Sequence, residues 1–170
     1  MTQDAMTSGE KRAAIGLALV FSFRMLGLFM ILPIFSHYGQ SLTGATPLLL
    51  GLAIGAYGFS QAVLQVPFGF ISDRIGRKPV ILFGLLMFAI GSVVAASSDS
   101  IYGVLVGRFL QGGGAIASTV MALLSDLTRE QHRTKAMAMV GMSIGLSFSV
   151  ALVAGPLLGG WLGLSGIFWL

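Results

Sequence analysis

Long, almost unbroken apolar stretches separated by short polar ones organise this chain. They predict helices over residues 14–36, 47–71, 79–97, 101–124 and 136–158, with a sixth running from 161 to the last residue, Leu170. Each stretch is apolar nearly all round rather than along one stripe, as a helix without an aqueous face should be. A hydrocarbon core about 30 Å thick needs about 20 such residues per helix. The pattern therefore predicts five complete membrane spans and the start of a sixth. Lys11 and Arg12 precede the first stretch as in a secretory leader, but that stretch is too long for one, contains Arg24 and lacks a clear small-residue cleavage site. It is expected to be retained.

Composition narrows the function classes. Hydrophobic residues make up 55% of the 170 positions and charged ones 9%, with a mean hydropathy of +0.90; an ordinary globular domain carries about 25% charged residues. The absence of cysteine removes disulfides, thiol nucleophiles and thiolate metal sites, and only two histidines supply imidazole. No metal, cofactor or enzymatic activity is expected, and His37 and His132, at opposite loop ends, read as solvated. Gly112-Gly113-Gly114 lies within an apolar stretch without the strand or spacing of a phosphate-cradling loop, and so predicts helix packing. The net charge of +4 gathers no basic stripe, so nucleic acid is not an expected partner.

The basic residues set the orientation. Lys11 and Arg12 lie before the first helix, Arg74, Arg77 and Lys78 between the second and third, and Arg129, Arg133 and Lys135 between the fourth and fifth. The opposite loops contain no lysine or arginine, so the positive-inside rule predicts a multi-pass membrane protein with a cytosolic N terminus, residues 1–13. Asp73 and Asp126 sit at cytosolic helix ends where the macrodipole disfavours an anion. Each needs a cation, and a pair between Arg77 and Asp126 is geometrically reasonable. The alternative is that these charges only set topology and meet anionic headgroups.

The spacing Gly69-x-x-x-Asp73-Arg74-x-Gly76-Arg77-Lys78 resembles the signature between the second and third helices of the major facilitator superfamily. Further matches follow in order: Arg108-x-x-Gln111-Gly112 resembles that family's R-x-x-Q-G, and Gly155-Pro156-x-x-Gly159-Gly160 its antiporter motif. Leu26-Gly27 and Pro33 are similar to the first-helix pattern of twelve-helix drug:proton antiporters, the YajR type above all. Two positions depart from these patterns, Ser36 where a proline is usual and Ala151 where a glycine is usual, which bears on the subfamily. The resemblance implies an all-α membrane fold, the N-terminal six-helix bundle of a transporter whose opposing C-terminal bundle is absent. It also implies a cytosolic latch of Asp73, Arg74, Gly76, Arg77 and Asp126, a proton-coupling role for Arg108, and a hinge or seal at Gly155, Pro156, Gly159 and Gly160, with Pro156 kinking its helix.

Two arginines fall inside predicted spans. Arg24 lies about 16 Å along the first helix at 1.5 Å per residue, and an arginine at a helix centre costs roughly 2.5–3.5 kcal/mol. Positions 108, 111, 112 and 115 share one face, which predicts a polar cavity; snorkelling towards headgroups is the alternative. Tyr57 and Gln61 border a small-residue stripe at Gly51, Gly55, Gly58, Ala62, Gln65 and Gly69 and are cavity candidates with Arg24 and Gln111, or else interhelical hydrogen-bond partners. None of the six acids, Asp4, Glu10, Asp73, Asp99, Asp126 and Glu130, lies at mid-span.

The resemblance implies efflux of small molecules by alternating access, coupled to protons, in a bacterial inner membrane, with the substrate, protons, the lipid bilayer and a second bundle as partners. The alternative is a truncated fragment or membrane-embedded interaction protein without transport. A small self-assembling exporter is a third reading, weakened by the arginine where such proteins carry a first-helix carboxylate.

Overall fold

The computed structural model describes residues 5–169 and is helical almost throughout. Asp4, Leu170 and the side chain of Ser36 lie outside the described residues. The elements are α1 (Ser8–Tyr38), a single 3-10 turn (Gly39–Ser41), α2 (Pro47–Ile75), α3 (Arg77–Ala96), α4 (Ile101–Gly113), α5 (Ala117–Asp126) and α6 (Glu130–Trp169). Among the described residues five spans are long and apolar enough to cross a membrane, with α4 and α5 together forming the fourth. The chain is thus an all-α, multi-pass membrane protein, as its sequence pattern predicts.

Several helix boundaries differ from the expected ones, each for a local reason. α1 begins at Ser8 rather than near residue 14 because Thr7 and Glu10 close a capping box, each side chain bonding the other's backbone N–H. Lys11 and Arg12 therefore ride on the first turns of the helix. α2 continues to Ile75, which places Asp73 and Arg74 on its last turn, and Gly76 alone reverses the chain at φ 99° before α3 starts. Only glycine adopts that angle without strain. The fourth span is interrupted at residues 114–116, at the end of the run Gly112-Gly113-Gly114, since glycine has the weakest helix propensity of any residue but proline. The fifth span begins at Glu130, and Gly159 and Gly160 are helical. The helix departs from helical angles at Gly163 (φ 66°), whereas Pro156, predicted to kink it, sits in a helical segment.

Packing inverts the usual arrangement. Large apolar side chains such as Phe23, Leu48, Phe70 and Leu146 face outward, and Trp161 is 89% exposed, as a lipid-facing or helix-facing surface requires. α1 packs chiefly on α6, while α4 is gripped between α2 and α3. The fourth span is the most buried of the five. One apolar cluster joins Phe21, Met25, Ile116, Leu124 and Val140; the other joins Ile34, Phe35, Val104, Ala151 and Ile167.

Close backbone approach is concentrated away from the stripe predicted on α2. A Cβ on Gly51, Gly55 or Gly58 would meet nothing within 4 Å, because these residues point outward while Ala53, Tyr57, Ser60 and Phe68 face the bundle. The tight crossings are instead between α3 and α4, where Gly91 meets Gly107 and Gln111, and between α4 and α2, where Tyr57 backbone leaves no room for a side chain on Gly112. The second predicted stripe does pack: a Cβ on Gly155 would lie 2.8 Å from the Met30 carbonyl oxygen, and one on Gly159 2.8 Å from Ile34.

Candidate transport site

At the end of the bundle that carries the N terminus, Arg77 gathers the charges at the ends of three helices. Its guanidinium contacts the Asp73 carboxylate across the Gly76 reversal, donates from Nε to Asp126 Oδ2 at 3.2 Å and from NH1 to Ser72 Oγ at 2.7 Å. Ser72 is buried and passes its own proton to the Gly69 carbonyl, so its oxygen is fixed in place as an acceptor. α2, α3 and α5 are thereby tied through one side chain, and each aspartate at a negative helix end has its cation. Arg74 is exposed and makes no ion pair among the described residues.

A second clasp lies at the same end and involves residues outside the predicted latch. Glu10 accepts from the Arg129 backbone N–H at 2.9 Å and from its guanidinium at 2.9 and 3.0 Å, and Arg129 NH2 also donates to the Ala5 carbonyl at 3.0 Å. Glu10 is only 6% exposed. It sits in the first turn of α1, ahead of the apolar run, and the hydrogen bonds from Arg129 hold its carboxyl well below the usual carboxylate range. The same contact raises the Arg129 guanidinium. The sequence carried a usable signal, the T-x-x-E spacing of a capping box at Thr7 and Glu10; the partner 119 residues away had none. His132, read from sequence as solvated, is buried at the start of α6, with Gln131 Nε2 3.4 Å from its Nε2. The short α5–α6 connection folds it inward.

Midway along the bundle the two embedded arginines converge on one ring. The Arg108 guanidinium lies 4.9 Å from the Tyr57 ring centroid and that of Arg24 5.8 Å from it, with Phe88 5.3 Å from Arg24. Both arginines are almost completely buried, so they do not reach headgroups. Arg108 NH1 donates to Gln111 Oε1 at 3.0 Å, and Gln111 Nε2 donates to Ser92 Oγ at 2.8 Å, which in turn bonds the Phe88 carbonyl. This relay needs α3 and α4 at glycine contact distance.

The break in the fourth span completes the arrangement. Gly114 is not helical, and its carbonyl accepts from Arg24 NH2 at 2.9 Å. A cation thus meets the negative end of α4, and irregular backbone at this depth is tolerated because its polar groups find partners inside the protein. Arg24 Nε and NH1, the Tyr57 hydroxyl and Gln61 Oε1 are buried without a hydrogen-bond partner. Of the cavity candidates, Arg24, Tyr57 and Gln111 come together with Arg108, and Gln61 lies one turn from Tyr57 on α2. Gly155 and Gly159 pack α6 closely on α1, while Gly160 has open space around it. Among the described residues no group of three or more histidines or acids converges as a metal site would need.

Residues 17–170 match the sequence profile of the Major Facilitator Superfamily. The chain is 60% identical over its whole length to the inner membrane transport protein YajR of Escherichia coli K12, covering 37% of that protein. It is 38% identical over 68% of its length to the multidrug resistance protein MdtL of a Shewanella strain, covering 29% of it, and 29% identical over 89% of its length to the class H tetracycline resistance protein of Pasteurella multocida, covering 38%. The chain therefore spans 29–38% of the length of these relatives. With its apolar spans, its basic inter-helix motif and a profile match over nine-tenths of its residues, the chain belongs to the Major Facilitator Superfamily.

Proposed function

We propose that the chain forms the N-terminal half of a proton-coupled exporter of small molecules in a bacterial inner membrane. Its N terminus lies in the cytosol, and its helices rock against a second six-helix bundle in alternating access. The observation that carries this reading is the single side chain of Arg77 joined to both Asp73 and Asp126. A contact of that kind is reversible: it can hold three cytosolic helix ends in register in one state and release them in another. The names of relatives as multidrug and tetracycline resistance proteins support export as the direction. No covalent chemistry is required of any residue.

In this reading Asp73, Arg74, Gly76, Arg77 and Asp126 form the cytosolic latch, and Gly155 and Gly159 seal the fifth span against the first. Arg108 couples proton movement to cargo because it is a charge that the bundle buries deep in the membrane beside Gln111 and Tyr57. In the full-length protein, cysteine-accessibility labelling should show wider cytosolic opening after Asp126→Ala; unchanged labelling refutes the latch. Substrate-induced proton flux should be lost in Arg108→Ala, and flux that survives removes Arg108 from coupling.

A further inference from the structure

Charge is segregated in this bundle. Glu10 is spent on Arg129, and Asp73 and Asp126 on Arg77, all at one end. Among the described residues no carboxylate forms an ion pair with Arg24 or Arg108, although both guanidiniums are at least 97% buried. Arg24 spends NH2 on the Gly114 carbonyl and keeps Nε and NH1 unpartnered. The Tyr57 hydroxyl, on the ring that both guanidiniums face, is unpartnered too, and that residue is 6% exposed. The local inventory is thus two positive charges and three unused donors. Donors of that kind suit the oxygens of a carboxylate, whose bonds to a guanidinium are strengthened by the opposite charge. An organic cation would meet repulsion from both arginines.

The geometry points to a binding site for the carboxylate of an organic anion, gripped by Arg24 and the Tyr57 hydroxyl, with Arg108 supplying the second positive charge. The inference rests on the carrier reading, since the site is closed over in this conformation and alternating access is what opens it. It specifies the cargo class: anions or zwitterions that place a carboxylate at mid-membrane. Gln111 fixes Arg108 in orientation through its 3.0 Å bond and acts as a positioning residue.

The test uses the full-length protein in lipid nanodiscs and three probes of similar shape: benzoate, benzamide and benzamidinium. Benzoate should bind saturably and raise the unfolding temperature. Benzamide should bind at least tenfold more weakly and benzamidinium not measurably. Arg24→Gln should weaken benzoate at least tenfold, Arg24→Lys less, and Tyr57→Phe, which keeps the ring between the arginines, severalfold. Equal binding of the three probes overturns the site, as does benzoate affinity unchanged in Arg24→Gln and Tyr57→Phe. Absence of benzoate binding also overturns it, including the case where a side-chain carboxylate from another part of the protein occupies the arginines. The two readings fail separately: benzoate binding without vesicle uptake of any probe removes the carrier and leaves the site, and benzamidinium uptake without benzoate binding removes the site and leaves the carrier.

Discussion

Gly91→Ala should loosen the bundle where its polar relay is held. A Cβ at Gly91 of α3 would stand 2.6 Å from both the Gly107 carbonyl oxygen and the Gln111 amide nitrogen of α4, and 2.9 Å from Gln111 Cγ. The first two are backbone atoms and cannot swing away. Ordinary contact begins at 3.4 Å, so the helices must part by about 0.8 Å (3.4 less 2.6). Overpacking of this kind costs typically about 1–3 kcal/mol, against a gain of about 1 kcal/mol in helix propensity. The net effect is destabilisation of up to about 2 kcal/mol, or roughly 4–8 °C for a chain of this size. The separation also lengthens the 2.8 Å bond from Gln111 to Ser92 and frees the amide that orients Arg108. Gly141→Ala is the control: a Cβ there meets nothing within 4 Å on the same kind of apolar helix, so it should keep the propensity gain and unfold slightly later than wild type. Thermal unfolding of the purified protein in one detergent, with both variants run together, reads the difference. Equal unfolding temperatures for Gly91→Ala and Gly141→Ala would refute the claim that α3 and α4 meet backbone to backbone.

The remaining predictions concern the two clasps at one end of the bundle and the α1–α6 seam. Glu10 has its folded pKa lowered by Arg129, so its contribution to stability is complete above the unfolded value near 4.3 and is lost as pH falls below it. Glu10→Gln should flatten the acid limb of a pH–stability curve, and an unchanged limb would remove the clasp. Ser72→Ala deletes the acceptor for Arg77 NH1; a bond to a charged group is worth about 1.5–3 kcal/mol when buried and less here, where the Arg77 side chain is partly exposed. The expected result is partial cytosolic opening in the labelling assay, smaller than that of Asp126→Ala. Gly155→Ala drives a methyl towards the Met30 carbonyl and Pro33, and should lower the unfolding temperature by a few degrees, whereas Gly160→Ala should not.

Much of the fold was legible because membrane helices announce themselves through uninterrupted apolarity, which needs no knowledge of neighbours. The pairing of Arg77 with Asp126 was also within reach, since both had to lie at one membrane depth and each aspartate needed a cation. What escaped was set by three-dimensional neighbours. The glycines of α2 have the spacing of a packing stripe yet face outward, while the α3–α4 crossing depends on Gly91 and Gly107, which lie on different helices and form no sequence pattern. Gly112-Gly113-Gly114 predicts helix packing and is a break as well: Gly112 accepts the Tyr57 backbone while Gly114 ends the helix. Arg129 was read as topology alone because its partner lies 119 residues away.

The break in the fourth span bears on how strongly the central arginines can hold a ligand. For Arg24, a cost of roughly 2.5–3.5 kcal/mol at mid-membrane is met by one charge-assisted bond to the Gly114 carbonyl, worth about 1.5–3 kcal/mol. The faces of Tyr57 and Phe88 add about 0.5–2 kcal/mol each. These terms balance to within a few kcal/mol, so the bundle can keep its arginine without a resident anion. A carboxylate side chain in permanent contact would make the pair more stable but would leave little affinity for cargo. Partial compensation by a backbone carbonyl and two rings has the opposite consequence: it supports the charge when the site is empty and yields to a carboxylate without an ion pair first having to break. A carrier must release what it binds, and a free-energy gain limited to the two unused Arg24 donors and one hydroxyl suits binding that is selective for charge yet reversible on each cycle.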